Sequence, residues 1–481
     1  MDELEHLKTS LDDVFSPRGV AVVGVSAKKI GFAEIVVEAL KSANHPAVFP
    51  VNPNYTEVLG LPCYASILDI KEPVDHVVVN IPASASLSLI DDCITKGVKS
   101  VHFFTAGFGE SGMSGGAELE KQLLDKARSG GLRIIGPNCI GLYVPKSRLH
   151  FALRVPLDSG PIGFLSQSGG HAQNLPEFSQ LRGLRYSKVI SYGNGLDINE
   201  SELFDYFRVD DETELIAAYI EGVKDGQRFI ESLGRAASRK PVIIYKGGKT
   251  EAGQRAAKGH TASMTSSIAA FEALCKQKNA IWVKSIEEMI DILVAFRFVK
   301  SVPSGFNVGL FGSGGGPSVL AGDEMEEENL CLPEFSDEAK NELKKVLPVP
   351  GSIFINPLDT PNLTTPEAIK AALNVLGKQS EIDMLVYHLG FHPIGNWGNG
   401  LYSSQQYLDT IISIFNDNIK TYGKPILMAL RPPQDLHSIK EFLIVQEAFI
   451  KAGFPVFHSM RHLARAMNRM VTWNNFNSPN R

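Results

Sequence analysis

Cysteine is scarce in this chain of 481 residues, and its cysteines are far apart. No two of them form a Cys-x-x-Cys pair, which argues against a disulfide framework or a zinc site and favours a reducing, cytoplasmic compartment. Uninterrupted apolar runs stay well short of the roughly 20 residues that a membrane-spanning helix needs. The sequence therefore predicts no membrane span and no metal site. The five cysteines are Cys63, Cys93, Cys139, Cys275 and Cys331.

The chain also lacks any excess of positive charge. Its net charge is -6, so there is no electrostatic case for binding nucleic acid or an anionic membrane. The first ten residues are polar and acidic, unlike a signal peptide. With 44% hydrophobic and 21% charged residues, the composition is typical of globular proteins, and the length suits about three domains.

The familiar nucleotide fingerprints are absent as well. The first predicted strand–helix turn, VVGVSAKKIGF, lacks the Gly-x-Gly-x-x-Gly spacing, and the second strand ends in Val-Asn-Pro-Asn, with no acidic residue to bind a ribose hydroxyl. A nicotinamide-dependent dehydrogenase is therefore disfavoured. No glycine-rich loop ends in the Gly-Lys-Ser/Thr of a P-loop, so the sequence shows no nucleoside triphosphate site.

What the sequence does contain is an alternation of apolar strand runs with longer helical patterns, which is typical of parallel α/β domains. We expect domains at residues 1–143, 144–302 and 303–481. Most strand runs end in Gly, Pro, Asn or Ser, where open α/β sheets bind ligands. The predicted strand runs are GVAVVGV, AVFPVNP, HVVVNIP, SVHFFTAG, LRIIGPN, PIGFLSQ, YSKVISYG, LIAAYIEG, PVIIYKGG, AIWVKS, NVGLFGS, DMLVYHL, PILMAL and FPVFHS.

The second and third segments resemble each other. GPIGFLSQSGG and NVGLFGSGGGP both predict a strand, a Ser/Gly loop and the start of a helix, and a Leu-Asp pair follows a turn in each segment. Two related domains would produce this pattern, and so would convergence of ordinary strand–helix turns. We interpret the glycine cluster Gly312–Pro317 as a structural turn, because Pro317 suits the first turn of a helix.

His260 is the main candidate for chemistry. It lies in KGGKTEAGQRAAKGHTAS, among small residues and several basic ones, directly after a predicted strand. Basic side chains would attract a phosphorylated partner, and imidazole is a good nucleophile near neutral pH. From the residues alone, His260 is either a phosphoryl carrier or a surface histidine in a glycine-rich loop.

Two further features suggest an anion site. Ser166–Gly170 follows a strand and opens a helix, so its hydroxyls and amides suit a phosphate, although a simple serine N-cap would look the same. Glu221 ends the next-but-one strand, where its carboxylate would orient an imidazole by accepting a hydrogen bond, or would simply face solvent.

The run GKTEAGQRAAKGHT resembles the phosphohistidine loop of the nucleoside-diphosphate-forming acyl-CoA synthetases, a family that includes ADP-forming acetyl-CoA synthetase and succinyl-CoA synthetase. Ala262 departs from the Gly that is frequent after His-Thr in that family. The resemblance covers nearly the whole chain. It implies a Rossmann-like CoA-binding domain followed by two flavodoxin-like, doubly wound parallel-sheet domains.

The resemblance also implies the site residues. His260 would carry phosphate and Glu221 would support it. A departure concerns Asn54, where many relatives have a Lys for a CoA phosphate; Lys28 or Lys29 is an alternative source of that charge. Residues implied to line the CoA path are Ser26, Asn52, Pro53, Ile81, Pro82, Thr105, Gly107 and Asn138. Residues implied to bind phosphate and the acyl group are Ser166, Gln167, Ser168, Gly169, Gly193 and Asn194.

The implied activity is ADP-forming, reversible synthesis of an acyl-CoA from a small carboxylic acid, CoA and ATP. The family places its ATP-grasp module after these domains or on a separate β subunit, so the resemblance implies a hetero-oligomer whose partner binds ATP or ADP and Mg²⁺. A CoA- or nucleotide-binding regulatory protein on the same scaffold is the alternative. The polar and aromatic run at 388–405, with His388, His392 and Trp397, is left open between a substrate or partner contact and an insertion.

Overall fold

A computed structural model gives the fold. It separates two compact units, the first made of residues 1–180 and 185–286, the second of residues 181–184 and 287–481. Each unit is described by itself below. The structure describes residues 3–112, 115–255, 267–312, 314–361, 363–390, 404–433 and 435–477.

The first sheet is fully parallel and lies in the first unit. The elements of this segment are α1 (Glu3–Phe15), β1 (Val20–Val23), α2 (Phe32–Ser42), β2 (Val48–Val51), β3 (Glu57–Val58), β4 (Leu61–Pro62), β5 (His76–Val79), α3 (Ser86–Lys96), β6 (Ser100–Phe103), α4 (Gly116–Ser129) and β7 (Arg133–Ile135). The strands of the sheet run in the order β2-β1-β5-β6-β7, while β3 and β4 form a separate small hairpin.

The second sheet lies in the same unit and contains the strands of the next segment. Its elements are β8 (Gly141–Tyr143), β9 (Ser159–Ser166), α5 (Gly169–Ser179), β10 (Tyr186–Ser191), α6 (Glu200–Val209), β11 (Leu215–Ile220), α7 (Gly226–Ala237), β12 (Val242–Lys246), α8 (Ile268–Gln277) and β13 (Ile281–Val283). The strand order is β13-β12-β11-β9-β10-β8, and β8 at the edge is antiparallel to β10. The five parallel strands have the flavodoxin order.

The third sheet belongs to the second unit. Its elements are α9 (Ile286–Phe298), β14 (Val308–Gly312), α10 (Gly315–Glu327), α11 (Asp337–Val346), β15 (Ile353–Phe354), β16 (Leu358–Asp359), α12 (Pro366–Lys378), β17 (Met384–Gly390), α13 (Ser404–Tyr422), β18 (Ile426–Arg431), α14 (Leu436–Lys451), β19 (Val456–Phe457) and α15 (Met460–Asn477). The order is β15-β16-β14-β17-β18-β19, and only the edge strand β15 is antiparallel among these described strands. This is again the flavodoxin order.

The predicted fold class is confirmed. Each predicted strand run contains a strand of one of the three parallel sheets, and the second and third sheets share one topology, as their similar sequences suggested. In the glycine cluster, Gly312 ends β14 and Gly315 begins α10, and Asp359 accepts a hydrogen bond from the Gly314 amide at 2.7 Å, so the interpretation of the cluster as a structural turn stays a prediction. The second sheet begins at β8 and the two units separate at residues 286–287, so the boundaries at 143 and 302 stay a prediction.

Alternate residues of the first sheet enter two different hydrophobic cores. Val20 and Val22 of β1 pack in a cluster shared with β9, β10 and α6, whereas Ala21 and Val23 pack under α3 and α4. The cause is the two-residue period of side chains along a strand. Because the first cluster joins residues of both sheets, the first unit holds the two sheets in a fixed relation. That relation brings the ends of their strands together.

A buried ion pair strengthens the same junction. Arg133 of β7 donates from Nε to Asp197 at 2.8 Å and from its terminal nitrogen to Glu202 at 2.8 Å. The side chains of Arg133, Asp197 and Glu202 are only 21%, 7% and 11% exposed. Arg133 is therefore the main counter-charge of both carboxylates, and the exposed Arg128 adds a second, longer contact to Asp197 at 3.5 Å.

Arg133→Ala should lower the free energy of unfolding of the first unit by about 3–5 kcal/mol, because it removes the ion pair of the buried Glu202 and leaves Asp197 with only the exposed Arg128 at 3.5 Å. Urea denaturation monitored by circular dichroism measures the change. Arg235→Ala is the control: its pair with Asp205 is 43% exposed on the arginine side, so we expect a loss below about 1 kcal/mol. Equal losses in the two variants would contradict the proposed importance of the buried pair.

The described residues contain neither a candidate membrane span nor a candidate metal cluster. None of their helices combines the length and the apolar character that crossing a membrane requires. No group of three or more His, Cys, Asp and Glu side chains in the same part of the chain is placed to hold a metal ion.

Candidate active site

A cavity of about 640 Å³ lies where the carboxyl ends of strands from the first two sheets meet. We call it the central cavity. Its lining follows β5, β6 and β7 of the first sheet and β9, β10 and β11 of the second, so six strand ends contribute. Open α/β sheets bind ligands at this edge. The lining residues are Asn80, Ile81, Pro82, Phe104, Thr105, Ala106, Asn138, Cys139, Ile140, Gln167, Ser168, Gly169, Gly170, Gly193, Asn194 and Glu221.

The structure brings together most of the residues that the sequence singled out. The first sheet contributes four of the predicted CoA-path residues to the central cavity, and the second contributes the predicted phosphate and acyl residues except Ser166. Glu221 lies in the same lining. His260 falls in residues 256–266, outside the described residues, so its place is a prediction from sequence. Its neighbours on either side, at 251–255 and 267 onward, belong to the first unit.

Other predicted CoA contacts lie outside the lining. The side-chain nitrogen of Asn52 donates to the Val25 carbonyl at 2.7 Å, and the Ser26 hydroxyl accepts from the backbone N–H of Lys28 at 3.1 Å. Both side chains therefore stabilise the turns after β2 and β1. Pro53 is exposed beside them. Gly107 has φ +102°, and its amide donates to Glu110 at 2.7 Å. In this structure, the hydrogen bonds of Ser26, Asn52 and Gly107 stabilise the loops after the strands.

Close backbone approach explains two glycines of the site. Gly24 has φ +94°, and a Cβ there would lie 2.3 Å from the Asn80 carbonyl oxygen. Gly193 has φ +51°, and a Cβ there would lie 2.3 Å from the Pro137 carbonyl oxygen. Both positions require a left-handed backbone and leave no space for a side chain. The strand-end loops therefore pack directly backbone to backbone.

Loops from the two sheets are joined by hydrogen bonds. The Asn194 amide N–H donates to the Pro137 carbonyl at 3.0 Å, and its side-chain nitrogen donates to Glu110 at 2.6 Å and to Glu120 at 2.9 Å. In the first sheet, the Thr105 hydroxyl donates to the Ile81 carbonyl at 2.6 Å. Asn194 therefore connects the loop after β10 of the second sheet to loops of the first sheet by hydrogen bonds.

The Ser-Gln-Ser-Gly-Gly turn forms the serine N-cap of α5 and also contributes to the lining of the central cavity. Ser168 is the N-cap of α5, and its hydroxyl accepts from the His171 amide at 3.4 Å. Ser166 is fully buried and donates its hydroxyl to the Ser168 carbonyl at 2.7 Å, which explains its absence from the lining. Gly169 and Gly170 place the amino end of α5 in the lining, where a helix favours an anion.

Glu221 is held from several sides. The Gln167 side-chain oxygen accepts from the Glu221 amide at 2.7 Å and from the Gly222 amide at 3.0 Å. The buried Lys246 ammonium donates to the Glu221 carbonyl and to the Gly247 carbonyl. Burial lowers the pKa of Lys246, and the Glu221 carboxylate offsets part of that effect. The backbone of the turn after β11 is therefore fixed by two side chains.

Several residues of this site were missed in the sequence. Asn80, Phe104 and Cys139 directly adjoin nominated residues and Ile140 lies two positions after Asn138, so a rule that includes the neighbours of each nominated residue would have found them. Lys246 is one of the basic residues near His260 that we expected to attract a phosphorylated partner, but it is buried and donates to backbone carbonyl oxygens. In the third sheet, His388 lies within β17 and its Nε2 is 3.1 Å from the Ser318 hydroxyl; His392 and Trp397 fall outside the described residues.

The family models agree with the two sheets of the first unit. A model described as a CoA binding domain matches residues 18–145, and one described as a succinyl-CoA ligase like flavodoxin domain matches residues 159–296. The solved structure of the dinucleotide forming acetyl-coenzyme A synthetase 1 of Ca. Korarchaeum cryptofilum, in complex with phosphate and ADP, is also similar. It has a TM-score of 0.80 at 29% identity, covering 96% of both chains.

Sequence relatives point the same way. Acetate–CoA ligase (ADP-forming) I of Archaeoglobus fulgidus is 34% identical over 377 residues, or 78% of this chain and 54% of the relative, so the chain spans about half its length. The alpha subunit of acetate–CoA ligase (ADP-forming) II of Pyrococcus furiosus is 36% identical over 378 residues, or 78% of this chain and 81% of the relative. The chain therefore belongs to the family of ADP-forming acyl-CoA ligases that includes these alpha subunits.

Proposed function

We propose that this chain is the CoA-binding, phosphohistidine-bearing subunit of an ADP-forming acyl-CoA ligase. The reaction would join a small carboxylic acid to CoA at the expense of ATP, giving acyl-CoA, ADP and phosphate, and it would run in both directions. The single observation that carries the proposal is the central cavity. It combines four residues of the predicted CoA path, five of the predicted phosphate and acyl residues and Glu221 in one space.

The cavity suits the thiol end of CoA. Its volume lies within the usual range for small-molecule sites, about 300–1,000 Å³. Ile81, Pro82, Phe104 and Ile140 supply apolar surface for an extended chain, and Asn138 supplies a polar group among them. The nucleotide end of CoA would follow Ser26, Asn52 and Pro53 at the ends of β1 and β2. The exposed Lys28 and Lys29 would pair with its phosphates.

The proposed chemistry has two transfers after His260 has been phosphorylated. A carboxylate oxygen attacks the phosphorus, the N–P bond breaks, and an acyl phosphate forms. The CoA sulfur then attacks the acyl carbon, the C–O bond to phosphate breaks, and the thiol proton leaves with phosphate or solvent. The amino end of α5, with Ser168 and Gly169, would stabilise the phosphate oxygens in both transfers.

Glu221 would accept a hydrogen bond from the imidazole of His260. This bond would fix the tautomer, leave the other nitrogen to attack phosphorus, and balance the positive charge of the phosphorylated ring. The placement of Glu221 in the cavity beside the predicted phosphate loop favours this catalytic interpretation. It argues against the alternative of a regulatory protein that only binds CoA or a nucleotide.

The partner would be an ATP-grasp β subunit that binds ATP or ADP together with Mg²⁺, giving a hetero-oligomer. The name alpha subunit in two of the relatives supports a partner chain. We place the complex in the cytoplasm, because the cysteines Cys63, Cys93, Cys139, Cys275 and Cys331 are all free thiols.

The isolated chain should convert acetyl phosphate and CoA to acetyl-CoA and phosphate, since this transfer needs neither ATP nor the partner. Chromatographic measurement of the thioester tests the expectation. A variant with Gly193→Val serves as the negative control, because its side chain would collide with the Pro137 and Asn138 carbonyls across the cavity. Failure of the wild-type chain with acetyl phosphate and with a panel of other acyl phosphates would contradict the proposed function.

A further inference from the structure

The carboxylate of Glu221 has a neighbour that the proposed function does not yet use. The Tyr219 hydroxyl donates a hydrogen bond to Glu221 Oε1 at 3.1 Å. The two residues lie two positions apart at the end of β11, so their side chains leave the same face of the sheet. Among the described residues, Tyr219 is the hydrogen-bond donor to this carboxylate.

Tyr219 is itself held in place. It is 7% exposed, and its ring centroid lies 4.2 Å from that of His171 and 5.4 Å from that of Tyr245. A Cβ on Gly247 would lie 2.6 Å from the Tyr219 hydroxyl oxygen and 3.2 Å from Glu221 Cγ. Glycine at 247 therefore leaves the space that the hydrogen-bonded pair occupies.

The electrostatics of this cluster favour a neutral donor. Burial raises the pKa of Tyr219, and the charge of Glu221 raises it further, so the phenol keeps its proton near neutral pH. Burial lowers the pKa of His171, against a smaller opposite effect of Glu221. His171 then packs on Tyr219 largely as a neutral ring.

We infer that Tyr219 is a positioning residue of the proposed ligase reaction, whose hydroxyl fixes one oxygen of Glu221 and so aims the other at the phosphohistidine. The inference rests on the proposed function. A carboxylate on an unrestrained side chain would sample several rotamers, whereas one with Oε1 already bonded presents Oε2 in one direction. His171 and Gly247 act through Tyr219 by fixing its ring and hydroxyl.

A double-mutant cycle tests this. The probe is ³²P-labelled acetyl phosphate, and the readout is the initial rate of acid-labile labelling of the full chain. Glu221→Gln should slow labelling about tenfold, and Tyr219→Phe should slow it about three- to fivefold. In a Glu221→Ala background, Tyr219→Phe should cost less than about twofold, because no acceptor remains at position 221 for the Tyr219 hydroxyl to orient.

Two controls separate positioning from general damage. Tyr186→Phe removes another buried hydroxyl of the same sheet, bonded to Ser179 at 2.8 Å, and should leave labelling within about twofold of wild type. Formation of acetyl-CoA from acetyl phosphate should stay near wild type in Tyr219→Phe. If Tyr219→Phe is poorly folded by thermal denaturation, Gly247→Ala replaces it in the cycle, because its Cβ displaces the Tyr219 hydroxyl.

The outcomes are distinct. Equal factors for Tyr219→Phe in the two backgrounds, or an effect no larger than that of Tyr186→Phe, would overturn the inference while the proposed function stands. Full-rate labelling in Glu221→Gln would refute the role of Glu221 and the inference with it. No labelling of the wild-type chain by acetyl phosphate, together with no thioester formation, would remove the proposed function on which both depend.

Discussion

Replacing His260 by alanine should abolish labelling by acetyl phosphate and abolish ATP-dependent acyl-CoA synthesis in the assembled enzyme. The reason is that no phosphoryl carrier would connect the acyl site to the nucleotide. The same variant should still form acetyl-CoA from acetyl phosphate and CoA, because that transfer takes place in the central cavity without the histidine. Labelled phosphate in the protein and chromatography of the thioester measure the two activities separately.

His6→Ala is the matched control, since His6 is an exposed histidine on α1. It should keep both activities. Normal ligase turnover in His260→Ala would refute the phosphoryl-carrier role. Loss of thioester formation together with labelling would show instead that His260 is needed to build the acyl site, which would contradict the separation of the two transfers.

The isolated chain should bind CoA but should not use ATP for acyl-CoA synthesis. The predicted CoA path consists of residues of the first sheet, whereas no P-loop pattern and no resemblance to an ATP-grasp module is recognised in these 481 residues. Addition of an ATP-grasp β subunit should restore ATP-dependent synthesis from no detectable rate to full turnover. Isothermal titration with CoA and a coupled assay for ADP, each with and without the partner, measure this division of labour.

Robust ATP-dependent synthesis by the chain alone, purified from a host without a related β subunit, would contradict that division. The first place to search for the missed nucleotide site would be the turn between β14 and α10, where Asp359 accepts from the Gly314 amide. Gly315→Asp would add a negative charge at that turn. It should abolish the unassisted activity if the turn binds a nucleotide, and it should have no effect on CoA binding.

The parallel sheets were predictable because each strand is an apolar run bounded by Gly, Pro, Asn or Ser. The five strands outside the predicted runs, β3, β4, β8, β15 and β16, have two or three residues each. Elements this short contain too few residues for a period, and they exist through pairing with a neighbour. The edge position of β8 beside β10 depends on tertiary contacts that no local pattern encodes.

The site was predictable to the extent that it consists of strand ends. Thr105, Asn138, Gln167 and Glu221 all lie within three residues of the ends of strands whose carboxyl ends converge, and the structure places them in one cavity. Ser166 was nominated for the same reason but is the last residue of β9, so its side chain is buried and caps the backbone. Gln167, one residue further along the chain, lines the cavity, so a difference of one position decides whether a side chain enters it.

Contacts between the side chains of buried strands could not be predicted from the sequence. Tyr219 lies in an apolar run that predicts only a strand, and its bond to Glu221 depends on the rotamers of both. The ring contact with His171 joins β11 to α5, which are separated by some fifty residues in the chain. Such partners become visible only when the sheet order is known.

The central claim is that His260 carries phosphate, and peptide mass spectrometry tests it most directly. The full chain would be incubated with acetyl phosphate, digested at alkaline pH to preserve N-linked phosphate, and fragmented by electron transfer. We predict one acid-labile phosphate, on the His260 imidazole. Phosphate confined to another residue, or none on His260 under conditions in which the chain forms acetyl-CoA, would contradict the account.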